Sequence, residues 1–397
     1  MATRAQILDA LWGGALPREA PEVVVETYLA GGQIALHPSS IGRCKQLRFA
    51  LAGGMWSTVF VYWPATTTGQ RSAALIWHAG HESDWSEMWT TVGAALARGY
   101  VVAEIRMPLY WTQDGSYYQW SPVPYTLSGG AQITVTAHDD FATVDAAGGT
   151  SWRVYLDPVF RVAAYLRSYH VGATRVGLAG HSGGGWTALI AGALDTTIDL
   201  VASVHGWCPR GAAGEPVRDY EQTAAWLLAN RGMTYEDYSA MIGTRRQLIC
   251  TGSSDPVFGA GVLGQAAIDA MVAGIQARGA NLAQQTFTAP DHYTTAAEAT
   301  WICDQMDALG SPRFVAPRWT GALTTATDLA RIATTLAGYP RDGTLAYAAV
   351  DAGGGNGRID LATQDLERLY DAAQVATLSG ADQAVVLAQR GAFVGRA

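Results

Sequence analysis

Hydrophobic and polar positions follow two different periods along much of this chain. Residues 74–78 and 100–105 are short apolar runs of the buried-strand type, and residues 85–98 between them carry apolar side chains at helical spacing. A buried strand, a helix and a second buried strand joined by short connections are typical of a parallel sheet. The pattern therefore predicts a chain that folds around such a sheet.

The same alternation of strands and helices continues further along the chain. Residues 46–64 read as two strands around a Gly53–Gly54 turn. Further strands and helices are predicted, in chain order, over 152–168 (helix), 174–180 (strand), 183–193 (helix), 199–207 (strand), 247–251 (strand), 262–278 (helix), 283–289 (strand) and 294–308 (helix). This order predicts an α/β protein with an open, doubly wound, mostly parallel sheet and helices on both faces.

The chain of 397 residues is long enough for one large domain with smaller additions. The strand and helix pattern assigns residues 46–309 to the sheet domain, with insertions at about 107–150 and 208–245, after an N-terminal extension over 1–45. Residues 310–397 follow a proline-containing linker, and we predict a small helical appendage there for assembly or attachment to a partner.

One segment of this appendage, from Asp351 to Asp360, resembles an EF-hand or dockerin-type calcium loop. It departs from that pattern by one extra residue, by glycines where acidic residues belong, and by Thr363 near the position of the final glutamate. A glycine-rich turn between two helices is therefore favoured over a calcium site.

Composition narrows the classes of partner. The net charge is −8 and no basic run is present, so nucleic acid is excluded as a predicted partner. No window approaches about 18 consecutive apolar residues, so no transmembrane helix is predicted. The N-terminus lacks the pattern of a signal peptide. We expect a soluble protein, cytoplasmic or virion-associated, that does not act at a membrane.

Metal-ligand patterns are weak in this sequence. His78 and His81 form an H-x-x-H pair, but no carboxylate–histidine helix motif accompanies them, and no two cysteines have zinc-ligand spacing. We predict neither a metal nor another cofactor.

The segment Gly180–Gly184 matches G-x-S-x-G between a predicted strand and a predicted helix. Such a tight, strained turn lifts the Ser182 hydroxyl above the sheet and needs small neighbours, because larger side chains would collide with the strand and helix. The Gly183 N–H and the helix start would face an oxygen that becomes negative during attack. The alternatives are a glycine-rich loop without chemistry and a phosphate cradle, which would require a lysine that this segment lacks.

Two further polar residues follow later strands of the predicted sheet. Asp255 comes after strand 247–251, and His292 comes after strand 283–289. Alone, each also fits an ordinary turn aspartate or a surface histidine. Together with Ser182 they give the chain order Ser, Asp, His, in which an acid orients an imidazole that serves as general base.

Residues 46–309 resemble the α/β-hydrolase superfamily. The motifs that carry the resemblance are WHAGHES at 77–83, ARGYVVAEI at 97–105, GHSGGGW at 180–186, GSSDPVFG at 252–259 and APDHY at 289–293. The resemblance implies the following roles: nucleophile Ser182, acid Asp255 with Asp219 as a lesser candidate, base His292, and oxyanion N–H donors at Gly183 and at Gly80 or His81.

The insertion at 107–136 mixes aromatic and hydrogen-bonding side chains, which suits the faces of sugars, although these rings equally fit a hydrophobic cover over the sheet. We predict substrate contacts at Trp111, Tyr117, Trp120 and His181. The favoured function is a serine carboxylesterase that forms an acyl-enzyme and acts on acyl groups of a glycan or similar polar ester. A non-catalytic binding or virion structural protein and a serine peptidase remain alternatives, because fold does not fix function.

Overall fold

The computed structural model describes residues 2–27, 37, 39–65, 73–81, 85–109, 122–168, 171–207, 220, 233–289, 291–309, 347–351 and 357–361. Contacts divide the chain into two compact units, 1–163 with 175–312 and 164–174 with 313–397. Within the described residues, no helix is both long and apolar enough to cross a membrane.

The bounds of the elements agree closely with the predicted ones through the centre of the chain. The strands are β1 Val23–Thr27, β2 Ile41–Ala50, β3 Trp56–Pro64, β4 Ala73–His78, β5 Val101–Ile105, β6 Val123–Thr126, β7 Gln132–Val135, β8 Arg175–His181, β9 Leu200–Val204, β10 Arg246–Gly252, β11 Leu282–Phe287, β12 Tyr347–Asp351 and β13 Gly357–Leu361. The helices are α1 Arg4–Trp12, α2 Trp85–Ala97, α3 Phe141–Ala146, α4 Ser151–Arg167, α5 Gly183–Leu194, α6 Tyr235–Ile242, α7 Ala260–Leu263, α8 Gln265–Gln276 and α9 Ala296–Ala308.

A nine-stranded sheet forms the centre of the larger unit, with the strand order β1-β2-β3-β5-β4-β8-β9-β10-β11. The pairs from β1 to β5 are antiparallel, and those from β5 to β11 are parallel. The predicted open, mostly parallel sheet with flanking helices is confirmed.

The central strands explain why their sequences are apolar without alternation. Every residue of β4, β5 and β9 is buried, as expected when helices cover both faces of a parallel sheet. Helices α2 and α9 pack against each other and contribute Val92, Ile302 and Met306 to a core cluster with Leu75 and Ala202. Helix α5 is buried along its whole length, which holds its first residue firmly at the end of β8.

The N-terminal segment belongs to the sheet rather than preceding it. Strand β1 pairs antiparallel with β2, and β2 begins at Ile41, so the predicted boundary after residue 45 falls inside a strand. The Arg4 guanidinium in α1 donates to the carbonyl oxygens of Ala193 and Met241 at 2.8 and 2.7 Å, which ties the start of the chain to α5 and α6.

The C-terminal tail differs from its prediction in the part that is described. Strands β12 and β13 form an antiparallel pair in which Asp351 lies opposite Gly357. The glycine-rich segment therefore joins two strands and not two helices, whereas an EF-hand loop joins helices. The β-branched and aromatic residues that flank the glycines favour strands over the helices that were predicted. The other residues of 310–397 lie outside the described part of the chain.

Candidate active site

Ser182 stands on a strained turn between β8 and α5. Its backbone has φ 52° and ψ −122°, a conformation that residues other than glycine rarely adopt. The Ser182 N–H donates to the Val204 carbonyl at 2.8 Å, and its carbonyl accepts from the Trp186 N–H at 3.0 Å. Bonds on both sides therefore hold the turn in place, with the side chain facing out of the end of the sheet.

The glycines around Ser182 allow three backbones to pack together. A Cβ at Gly180 would lie 2.2 Å from the Gly184 carbonyl oxygen, and one at Gly184 would lie 2.1 Å from the His78 carbonyl oxygen. No side chain fits at either position, so β8, β4 and α5 can approach this closely only with glycine there. Sequence analysis predicted small residues at this turn for the same steric reason.

The structure brings Ser182, His292 and Asp255 together from three strand ends. His292 Nε2 lies 2.9 Å from Ser182 Oγ, and His292 Nδ1 lies 3.0 Å from both carboxylate oxygens of Asp255. A neutral imidazole carries one N–H, so Nδ1 donates to the carboxylate and Nε2 accepts from the serine hydroxyl. This arrangement can remove the hydroxyl proton from Ser182.

Asp255 is buried yet strongly favours its ionised form. Its Oδ1 accepts from the backbone N–H groups of Val257 and Phe258 at 2.7 and 3.2 Å. Burial alone would raise the pKa of Asp255, but hydrogen bonds from His205 and His292 outweigh it and hold that pKa well below its usual range. The carboxylate is thus available as an acceptor for His292.

Sequence reasoning missed two residues behind Asp255. His205 Nδ1 lies 2.9 Å from Asp255 Oδ2, and His205 Nε2 lies 2.6 Å from Glu298 Oε1. Burial would lower the pKa of His205, but the two carboxylates raise it to about 9. His205 directly follows β9, but the predicted strand ran to residue 207 and placed His205 inside it, so the rule that found Asp255 and His292 passed over this residue. Glu298 carried only the weaker signal of a helix-capping pattern after Thr295.

The two predicted sources of oxyanion donors lie on either side of Ser182. Gly183 is the first residue of α5, so its N–H has no carbonyl one turn earlier within the helix. Gly80 follows β4, and a Cβ there would lie 2.8 Å from Ser182 Cβ, which places that loop directly against the serine. His81 Nε2 lies 2.9 Å from His138 Nδ1, so the His81 side chain contacts His138.

His181, predicted to contact substrate, has a buried side chain that is 2% exposed. Its Nδ1 lies 2.9 Å from Glu87 Oε1, and burial lowers the pKa of His181 despite this carboxylate. The burial argues against a substrate contact at this ring. The other predicted contacts, Trp111, Tyr117 and Trp120, lie outside the described residues, as does the lesser acid candidate Asp219.

Three imidazoles meet near the serine turn, and they are the one candidate metal group found in the described part of the chain. The ring nitrogens of His181, His205 and His292 lie within 4.8 Å of one another. However, His205 and His292 each use both nitrogens in contacts with carboxylates or with Ser182. A metal would have to break these bonds, so the donor set does not fit a resident ion. His78 is buried and bonded to a backbone oxygen, and burial lowers its pKa to about 4.

No protein-family model matches this sequence, and no curated protein resembles it in sequence. Solved structures do resemble it. The acetyl xylan esterase from Paenibacillus sp. R4 matches with a TM-score of 0.50 and 16% identity, over 73% of this chain and 89% of its own. The present chain, by its sheet and its serine turn, therefore has the α/β-hydrolase fold. Acetyl xylan esterase 1 from Thermoanaerobacterium sp. JW/SL YS485 matches with a TM-score of 0.49 and 16% identity, over 74% of this chain and 89% of its own.

Est1E from Butyrivibrio proteoclasticus matches the α/β-hydrolase fold of this chain with a TM-score of 0.43 and 14% identity, over 66% of this chain and 99% of its own. At such identities the likeness shows the fold alone. Because many unrelated activities share a fold, the chemistry of this α/β-hydrolase fold protein has to be argued from its own side chains.

Proposed function

We propose that the protein is a serine hydrolase that cleaves carboxylic esters through an acyl-enzyme. Ser182 is the nucleophile, His292 the general base and acid, and Asp255 the residue that orients the base. The observation that carries the proposal is the continuous set of contacts, 2.9 Å from Ser182 Oγ to His292 Nε2 and 3.0 Å from His292 Nδ1 to Asp255, on a turn with positive φ at the serine.

In the first half of the proposed reaction, Ser182 Oγ attacks the ester carbonyl carbon while His292 Nε2 takes the hydroxyl proton. The carbonyl oxygen becomes negative and accepts hydrogen bonds from the N–H groups of Gly183 and of Gly80 or His81. The tetrahedral intermediate then breaks its bond to the alcohol oxygen, which receives the proton from His292. An alcohol leaves and the acyl group stays on Ser182.

Water reverses these roles in the second half. His292 removes a proton from water as the oxygen attacks the acyl carbon, and Ser182 Oγ leaves with that proton. The products are a carboxylic acid and the free enzyme. Asp255 stabilises the imidazolium form of His292 in both halves and does not itself take the proton.

For the substrate class, we propose acyl groups on a glycan or another polar ester. The support is the sequence of the insertion after β5, where Trp111, Tyr117 and Trp120 are interleaved with hydrogen-bonding side chains. The structurally similar Paenibacillus protein is named as an acetyl xylan esterase, which agrees with this class.

The test is a panel of chromogenic acyl esters and acetylated polysaccharides, together with labelling by a fluorophosphonate. We expect Ser182→Ala to lose the label and to lower kcat on the order of 10⁶-fold, as removal of a triad nucleophile does. Ser203→Ala is the matched control, because Ser203 is also buried and lies on neighbouring strand β9. This variant should keep both the fluorophosphonate label and the wild-type kcat.

Each other outcome has a defined meaning. Ester hydrolysis at the wild-type rate by Ser182→Ala would refute the proposed nucleophile. Labelling with cleavage of peptides but not of esters would favour the peptidase alternative. A folded wild-type protein that neither takes the label nor cleaves any substrate would favour a non-catalytic binding protein.

A further inference from the structure

A carboxylate, an imidazole and a second carboxylate form a buried bridge behind the proposed triad. We refer to Asp255, His205 and Glu298 together as the acid bridge. Its two contacts measure 2.9 and 2.6 Å, and all three side chains are fully buried. Buried charges are costly unless paired, so each member depends on its neighbour to remain charged. The proposed reaction as described above uses only Asp255.

The backbone at His205 is built to place this ring. His205 follows β9 with φ 49°, a left-handed conformation that is unusual outside glycine. Its N–H donates to the Cys250 carbonyl at 3.1 Å across the parallel pair of β9 and β10. Because β9 and β10 are neighbours, the residues just past their ends meet, and the His205 ring lies against Asp255. Strain of this kind persists where the surroundings require one particular placement.

Glu298 connects the other end of the bridge to the loop that carries His292. Its Oε2 accepts from the Thr295 N–H at 2.8 Å and from the Thr295 hydroxyl at 2.9 Å, while its N–H donates to Thr295 Oγ1 at 3.3 Å. These bonds form the capping box of α9, directly after the His292 loop. Glu298 therefore fixes that loop relative to the end of β9.

We propose that His205 and Glu298 are positioning residues of the active site, which hold Asp255 against His292 and compensate part of its charge. This inference rests on the proposed function. The centroid of the positive His205 ring lies 5.9 Å from that of His292, and Glu298 bonds to the His205 nitrogen that is not the one facing Asp255. An Asp255 without that compensation would favour the protonated form of the imidazole it holds, and a protonated imidazole cannot act as base. The bridge thus extends activity towards lower pH.

The titratable side chains near the His205 ring are Asp255, Glu298, His181 and His292. Cys250 lies on neighbouring β10, where its carbonyl accepts from the His205 N–H. Only the two carboxylates are within hydrogen-bond distance of the His205 ring nitrogens among the contacts of the described residues.

Two substitutions test the bridge without touching Ser182, His292 or Asp255. His205→Asn keeps an N–H donor in place of the ring, tolerates positive φ and removes the charge. Glu298→Gln removes one of the two carboxylate charges that raise the pKa of His205. For both variants we expect kcat to fall by up to about 100-fold, since small misplacements of catalytic groups cost this much. KM should stay unchanged in both variants. In His205→Asn, which loses the positive charge, the acidic limb of kcat/KM should also move to higher pH by about one unit.

Asp195→Asn is the matched control. Asp195 is a fully buried carboxylate at the far end of α5, where it accepts from Arg18 at 2.7 and 2.8 Å. Its loss should lower stability while leaving the pH profile in place. The inference is overturned if folded His205→Asn keeps the wild-type acidic limb, or if the loss of kcat in His205→Asn and Glu298→Gln is no larger than that of Asp195→Asn.

Two further measurements separate this inference from the proposed function. Fluorophosphonate should still label both variants, because the nucleophile is intact. NMR titration of the His205 ring needs no substrate, and we expect the pKa of His205 near 9 in the wild type and lower in Glu298→Gln. If no ester is cleaved by the wild type, the proposed function fails. The bridge itself fails if the His205 titration is the same in wild type and Glu298→Gln.

Discussion

Asp255 and Asp157 are both buried carboxylates, but their pKa values are shifted in opposite directions. Their exposed fractions are 1% and 0%. The pKa of Asp255 is held well below its usual range, whereas the pKa of Asp157, in α4, is raised to about 6. Burial alone therefore does not decide the pKa of an acidic residue in this molecule.

The number and kind of donors explain the difference. Asp255 accepts from two backbone N–H groups and from the ring of His292, and His205 Nδ1 lies 2.9 Å from its Oδ2. Asp157 is desolvated, and against this it has one hydrogen bond from Trp12 Nε1 at 2.7 Å and an Arg153 guanidinium 3.4 Å away. A buried carboxylate keeps a low pKa where the fold surrounds it with donors. The end of β10 is such a place, and the middle of α4 is not.

The largest expected effect separates the two residues by activity. Asp255→Asn leaves His292 without an anionic partner and should lower kcat by about 10⁴-fold, as an amide in place of a triad acid does. Asp157→Asn should keep the wild-type kcat. Rates on the best ester of the panel provide the measurement. Similar rates for both variants would show that Asp255 has no larger role in catalysis than Asp157.

The second effect concerns stability and pH at the acid bridge. The pKa of His205 rises from its ordinary value of 6.5 to about 9 on folding. A raised pKa means that the folded state binds the proton more tightly, so this contribution is complete below about pH 6.5 and is lost as the pH passes 9. We expect His205→Asn to cost about 3 kcal/mol of unfolding free energy at pH 6 and much less at pH 9.5.

Urea unfolding at several pH values measures this difference directly. A wild-type advantage over His205→Asn that stays constant from pH 6 to pH 9.5 would show that the ring is not held as an imidazolium. The Asp195→Asn variant serves as the reference for a buried pair without a histidine.

The site residues that sequence reasoning found share a local signal. Ser182 carries a turn motif, and Asp255 and His292 follow strands whose apolar runs are plain in the sequence. His205 also follows a strand, but the predicted strand continued to residue 207 and hid this position, and His205 belongs to no motif. Its partner Glu298 lies 93 residues further along. A contact of that separation depends on the packing of β9 against α9, which local patterns do not encode.

The strands likewise divide into those that local patterns predicted and those that they did not. Strands β4 and β5 were predictable because burial on both faces leaves an unbroken apolar run. Strand β1 lies at the edge of the sheet, where Val23 and Val24 are exposed, so burial imposes no such pattern. The hairpin at Asp351 and Gly357 was missed because glycines suit turns between either kind of element.

The third prediction concerns Asp157 itself. Its pKa is raised from 3.8 to about 6, so the folded state keeps its proton at pH values where the unfolded chain has lost it. Folding stability therefore falls as the pH rises from about 4 to about 6 and stays lower above that range. Asp157→Asn removes this penalty and should stabilise the protein at pH 7 by about 3 kcal/mol or less. The gain should vanish near pH 4, as measured by urea unfolding.

The smallest effect tests the single hydrogen bond that Asp157 receives from Trp12. Trp12→Phe removes the indole N–H but keeps a ring to pack edge-on against Phe160, whose centroid lies 5.4 Å from that of Trp12. We expect a loss of about 1 kcal/mol at pH 7, the usual contribution of one hydrogen bond. The loss should be smaller in the Asp157→Asn background, because a neutral amide oxygen accepts a weaker bond than a carboxylate. An equal loss in both backgrounds would assign the effect of Trp12 to packing and not to its hydrogen bond with Asp157.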